Sequence, residues 1–250
     1  FLIAFFISLV LPWNPTEARE IDHAHQYKAC MALAKKSPEE AFETALTWRD
    51  LGGGDAAEHC VAAALIGLGQ YTDAARRMET LAGKVKQNSS VKAGLLAHAA
   101  QAWLLADQAA RAEAVLMAAL KLTPEDSALF VDRAQARAAL KDFKGALEDL
   151  NHAIAREDHR ADAYVFRAAT YRFLDKPELA LADVERALAL APTHAEGLLE
   201  RGILRRLRQD NDGARQDWLR VLRLAPKSRA ADASRRNLEK MDVKPDEPQR

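Results

Sequence analysis

KDFKGALEDLNHAIAR (residues 141–156) and DKPELALADVERALAL (residues 175–190) begin 34 residues apart and read as the same element. Each opens on a short polar turn and continues with apolar residues at helical spacing. Pro177 suits a first helical turn, where its missing N–H costs nothing. The period runs further: Pro124, Asp158, Pro192 and Pro226 also stand 34 residues apart. On that register Ala146, Ala180 and Ala214 form one column of small residues. Ala153, Ala187 and Val221 form a second, and Ala134, Ala168 and Gly202 a third. Phe130, Tyr164 and Leu198 make a large apolar column, and Leu96, Ala100, Ala112 and Ala119 carry the pattern backwards. Each unit is therefore two amphipathic helices whose small columns let them approach closely. A single hairpin cannot bury its apolar face alone, so the units must stack.

The pattern resembles the tetratricopeptide repeat, with small residues at the eighth, twentieth and twenty-seventh positions and proline at the thirty-second. The resemblance covers roughly residues 22–228. It implies an all-α, right-handed solenoid of helix-turn-helix units. The expected division is two degenerate repeats over 22–92, four regular ones over 93–228, a polar capping helix over 229–241 and a disordered tail over 242–250. Ser37-Pro38-Glu39-Glu40 gives a capping-box start in the first unit. The second unit slips by one residue, and about four extra residues around Asn88-Ser89-Ser90 precede the third.

The run Leu51-Gly52-Gly53-Gly54-Asp55 raises the alternative of a phosphate cradle. It aligns with Leu122-Thr123-Pro124, Leu190-Ala191-Pro192 and Leu224-Ala225-Pro226, the joints between units. A phosphate loop needs a preceding strand and a Lys-Ser or Lys-Thr ending. Asp55 and Glu58 follow instead and would repel phosphate. The glycines read as helix punctuation.

Composition excludes little beyond this. The chain is rich in strong helix formers, and its 36 basic and 36 acidic residues balance. No global field favours nucleic acid, and the arginines between Arg201 and Arg223 interleave with acids. Residues 1–18 begin with eleven largely apolar residues, too few to span a membrane, and end near small residues at Ala18. They read as a truncated secretory signal peptide, implying export to a periplasm or cell envelope and no stable membrane insertion afterwards.

Few residues suggest chemistry. Arg133 and Asp149, Arg167 and Asp183, and Arg201 and Asp217 are each 16 apart, which reads as a structural ion pair clamping each hairpin. Cys30 and Cys60 fall on the first helices of adjacent units, where a disulfide and two small buried thiols are both open readings. His23-x-His25 lacks a third ligand for a metal, and His59 beside Cys60 lacks the orienting acid of a nucleophile. No metal, cofactor or catalytic group is expected.

In the family that the chain resembles, first helices line a concave face that holds a peptide segment. Carried over by position, the groove residues are His98, Gln101, Asp132, Gln135, Phe166, Arg172, Phe173, Glu200, Ile203 and Arg206. A clamp for a terminal carboxylate would need lysine and asparagine where Ala97, Gln101, Val131, Gln135, Val165 and Ala169 stand. The functional expectation is a non-catalytic scaffold for a partner protein. Self-association into a homo-oligomer and service as a regulatory adaptor for a separate enzyme are the alternatives.

Overall fold

The computed structural model describes residues 23–86 and 88–242, and the described residues form helices and no strand. The candidate signal segment and residues 243–250 of the expected tail lie outside them. Six helical hairpins follow one another. They are α1 (His23–Lys36) with α2 (Pro38–Trp48), α3 (Gly54–Gly67) with α4 (Tyr71–Lys84), and α5 (Ser89–Leu105) with α6 (Ala109–Leu122). The series continues with α7 (Ser127–Ala139) and α8 (Phe143–Arg156), α9 (Ala161–Phe173) and α10 (Pro177–Leu190), and α11 (Ala195–Leu207) and α12 (Asn211–Leu224). A single helix, α13 (Arg229–Asp242), packs on α11 and α12.

Each hairpin from the second onwards turns through one residue in the left-handed region. Asp107, Lys141, Asp175 and Gln209 have φ of 58°, 64°, 54° and 66° and recur at the repeat period. The next residue donates its N–H back to the helix, as from Asp142 to the Arg137 carbonyl at 2.9 Å, closing a Schellman turn. Gly69 takes this role in the second hairpin with φ 74°. It precedes Asp107 by four residues more than the period, and these lie in α5, which has 17 residues where α7 has 13. The triple glycine lies in an irregular turn between α2 and α3. Gly52 and Gly54 have φ of 91° and 55°, and a side chain on Gly53 would collide with Trp48.

The small columns sit where the helices of a unit cross. Ala112, Ala146, Ala180 and Ala214 are fully buried, and so are Ala119, Ala153 and Ala187. Gly202 replaces alanine in its column because a Cβ there would enter the Trp218 indole. Leu116, Leu150, Val184 and Trp218 are buried at the equivalent position of successive second helices, Trp218 against Leu199 and Gly202 of its own hairpin. First helices of successive units touch along the stack: α1 with α3, α5 with α7, α7 with α9, α9 with α11, and α11 with α13. The pair α3 and α5 lacks this close backbone approach, and the longer α5 packs against α4 instead.

Candidate functional site

The face built by α1, α3, α5, α7, α9 and α11 changes character along the stack. At the centre, Asp132 on α7 is bracketed by amides. Gln101 on α5 hydrogen-bonds to it, and the Gln135 side-chain N–H reaches its Oδ1 at 3.5 Å. Burial pushes the Asp132 carboxyl up to about 6, against the opposing pull of Gln101 and the Arg160 charge. Three of the expected groove residues thus form one polar cluster spanning two units.

Towards the N-terminus the face is aromatic and imidazole-rich. The Tyr27 hydroxyl on α1 pairs with His59 Nδ1 on α3 at 2.7 Å, and His59 Nε2 pairs with His98 Nδ1 on α5 at 3.2 Å. The rings stack with centroids 5.7 and 5.3 Å apart. Burial, reinforced by the neighbouring imidazole, lowers the His59 pKa to about 4, and desolvation lowers that of His98 as well. Both rings are therefore neutral at neutral pH. Beside this chain, Cys30 and Cys60 are joined as a disulfide, with Cα atoms 6.1 Å apart, tying α1 to α3. Sequence alone presents His59 as an isolated histidine. Its partners lie 32 and 39 residues away, outside any local pattern.

Towards the C-terminus the expected groove needs correction. Glu200 is only 5% exposed and accepts two hydrogen bonds from Arg172, at 2.5 and 3.1 Å. The two residues bind each other between α9 and α11, so neither is a free contact for a ligand. Positions six and twelve face one another across the unit boundary, and opposite charges there satisfy themselves. Phe166 is half-buried against the core around Val131 and Leu150, and Ile203 is half-buried. Phe173 is 58% exposed, stacked on Phe143 with centroids 4.9 Å apart and flanked by the Arg172 guanidinium. Arg206 is exposed and hydrogen-bonds to Asn211 at 2.6 Å.

The three spaced Arg–Asp pairs are bidentate. Arg133 reaches Asp149 at 2.9 and 2.6 Å, Arg167 reaches Asp183 at 2.7 and 2.8 Å, and Arg201 reaches Asp217 at 2.9 and 2.7 Å. All three carboxylates are buried. Two further contacts extend the pairs between units: Arg167 also donates to Asn151 at 2.9 Å, and Arg201 to Glu185 at 3.3 Å. Arg137 and Arg205 add a second guanidinium to Asp149 and Asp217, at 3.0 and 2.9 Å.

His23 accepts a hydrogen bond from the Trp48 indole at 3.4 Å. Among the described residues no three His, Cys, Asp or Glu side chains are grouped to hold a metal, and no helix is long and apolar enough to cross a membrane.

No family model matches the chain. Over 87 residues it is 40% identical to tetratricopeptide repeat protein 36 of Bos taurus, and 36% identical to that of Danio rerio. Each match covers 33% of this chain and 46% of the relative, so the chain spans less than half of either. Among solved structures, a thermophilic TPR protein of Thermus thermophilus superposes with a TM-score of 0.65 at 20% identity, over 76% of this chain and 100% of that one. YrrB, described as a TPR protein with an unusual peptide-binding site, gives 0.52 at 17% identity, over 70% and 88%. A 34-residue register, hairpins stacked in that register and these similarities give the chain the fold of a tetratricopeptide repeat solenoid.

Proposed function

We propose that the protein is a non-catalytic scaffold that binds a partner polypeptide along its first-helix face, in an exported setting. The observation that carries this reading is the polar cluster of Gln101, Asp132 and Gln135. Amides and a carboxyl crossing two units offer donors and acceptors to an extended backbone, on a face otherwise lined by half-buried apolar side chains. The peptide-binding site named for YrrB supports the same use of the fold. The Cys30–Cys60 disulfide supports the exported setting, since such bonds persist in oxidising compartments.

Site-directed photo-crosslinking tests the reading. A photoreactive residue at Gln135 is expected to capture a discrete polypeptide in cells, whereas one at Met117, exposed on α6, captures none. Equal capture from both positions overturns the assignment of the face. Self-association is the second reading, favoured by Leu207, Leu219 and Leu224, which are 63%, 40% and 44% exposed near the C-terminal end. Sedimentation that does not change with concentration excludes it.

A further inference from the structure

The gap between α3 and α5 is not empty surface. It holds two adjoining cavities of about 370 and 250 Å³, separated by the His59 ring. Met31, Ala63, Ile66 and Met78 wall the larger, with Lys35 and Gln101 at its edge. Tyr27, Leu81, Val85 and Leu95 wall the smaller. Both arise where α5, a turn longer than the later first helices, packs along α4 rather than closing on α3, so the α4 residues Met78 and Leu81 become floors. Nothing in the repeat pattern itself calls for this opening.

We propose that this cleft is the anchor point of the face. It takes two large apolar side chains of a partner polypeptide, one on each side of the His59–His98 bridge. The inference rests on the reading of the first-helix face as a polypeptide-binding surface.

Three features fix the occupant's chemistry. The polar atoms at the divide are used on one another: Tyr27 Oη with His59 Nδ1, and His59 Nε2 with His98 Nδ1. Apart from Lys35 at the rim of the larger cavity and Asp55 at the rim of the smaller, the walls that remain are apolar, and the neutral imidazoles add no charge. Finally, Gln101 edges the larger cavity and also belongs to the cluster with Asp132. A chain anchored in the cleft is thereby led onto groups that pair with backbone amides. Aliphatic or aromatic side chains on an extended segment satisfy all three conditions; charged side chains would lose much of their hydration against the apolar walls.

The cleft is also braced. The disulfide joins the helices that carry Met31 and Ala63, one residue from Met31 and three from Ala63. With one wall fixed before binding, little ordering cost falls on association. Cleaving the bond leaves the α1 wall held by non-covalent contacts alone and weakens the anchor.

The experiment is selection of phage-displayed random peptides on the oxidised full chain, followed by anisotropy titration of the enriched synthetic peptide. Enriched sequences are expected to carry two large apolar residues at a constant spacing. Lys35→Trp, which closes the larger cavity from an exposed position, and Ala63→Phe, which fills it, are each expected to weaken binding by at least about tenfold. Dithiothreitol is expected to weaken it as well, and Met117→Ala to leave it unchanged. Helical circular dichroism verifies that each variant is folded, and Lys35→Trp serves alone if Ala63→Phe is not. Peptides that ignore both cavity substitutions but are lost in Gln135→Ala or Phe173→Ala overturn the cleft and leave the face intact as a binding surface. Binding that survives reduction unchanged overturns the role of the disulfide. If no selected peptide responds to any substitution on the first-helix face, the cleft and the proposed function both fall.

Discussion

Asp149 receives three N–H donors from two guanidiniums while remaining 1% exposed, and Asp217, at 3%, is built the same way. A buried ion pair is weakly stabilising in itself, yet removing one partner strands the other without its hydration. Asp149→Asn is therefore expected to destabilise the protein by about 3–5 kcal/mol, read from urea unfolding. Surface pairs such as Arg235 with Asp232 should contribute under ~1 kcal/mol. A second prediction follows from two groups with opposite linkage. Folding holds His59 neutral, lowering its pKa from 6.5 to about 4, so its contribution is complete above 6.5 and is lost as pH falls towards 4. Folding raises Asp132 from 3.8 to about 6, so stability is gained as pH falls through that interval. In the parent these slopes oppose each other between pH 6 and 4. Asp132→Asn is expected to steepen the loss on acidification relative to the parent, and His59→Gln to reverse it towards a gain. Urea midpoints at neutral and mildly acidic pH provide the comparison, and parallel profiles would contradict it. The 16-residue Arg–Asp spacing was legible because it recurs in three units. The Arg172–Glu200 pair, joining different units once only, was not.

The turn between the helices of a unit is the element on which the repeat depends. Four units place a non-glycine residue in left-handed geometry there, held by hydrogen bonds such as Asp210 N–H to the Arg205 carbonyl at 2.9 Å. That geometry crowds Cβ against its own carbonyl, costing roughly 1–2 kcal/mol that glycine avoids, while glycine adds unfolded-state entropy. Gln209→Gly is expected to stabilise the sixth hairpin by up to about 1 kcal/mol, seen as a raised urea midpoint; an unchanged or lowered midpoint would mean that the turn is not strained. The last element, α13, shows why the stack ends. In register it is a seventh first helix, with Ala231 and Ser234 buried against its neighbours. At the small-residue position that Ala134, Ala168 and Gly202 occupy stands Arg236, exposed and too large for a second helix to approach. Arg215 ties the far end of α13 down through Asp242. Capping was legible from the drop in apolar content, whereas the α3–α5 cleft was not. An insertion of four residues announces a break in register, but only packing decides whether the next hairpin closes the gap or leaves it open.

Along the whole molecule, contacts run between neighbouring hairpins, so stability is divided among units and interfaces rather than held by one core. The described core divides accordingly. One large cluster joins the first three hairpins to α7, and smaller clusters follow towards α13. The two regions are stabilised by different means. The C-terminal hairpins carry the buried Arg–Asp pairs and a regular register. The N-terminal ones lack those pairs and have an irregular joint after α2, an open cleft and a covalent bond instead. That bond closes a loop of 30 residues, for which chain entropy alone predicts a contribution of about 3–4 kcal/mol. Reduction should consequently act on one end of the stack only. In native-state hydrogen exchange, amides of α1–α4 are expected to lose protection when Cys30–Cys60 is reduced, while those of α9–α12 keep theirs. The urea transition, single in the oxidised protein, should separate into an early N-terminal step and a later C-terminal one. If reduction instead lowers the whole transition uniformly, the hairpins are coupled more tightly than nearest-neighbour packing implies. The cleft would then be braced by the entire stack and not by its disulfide, and its affinity for peptide should be insensitive to the same reductant.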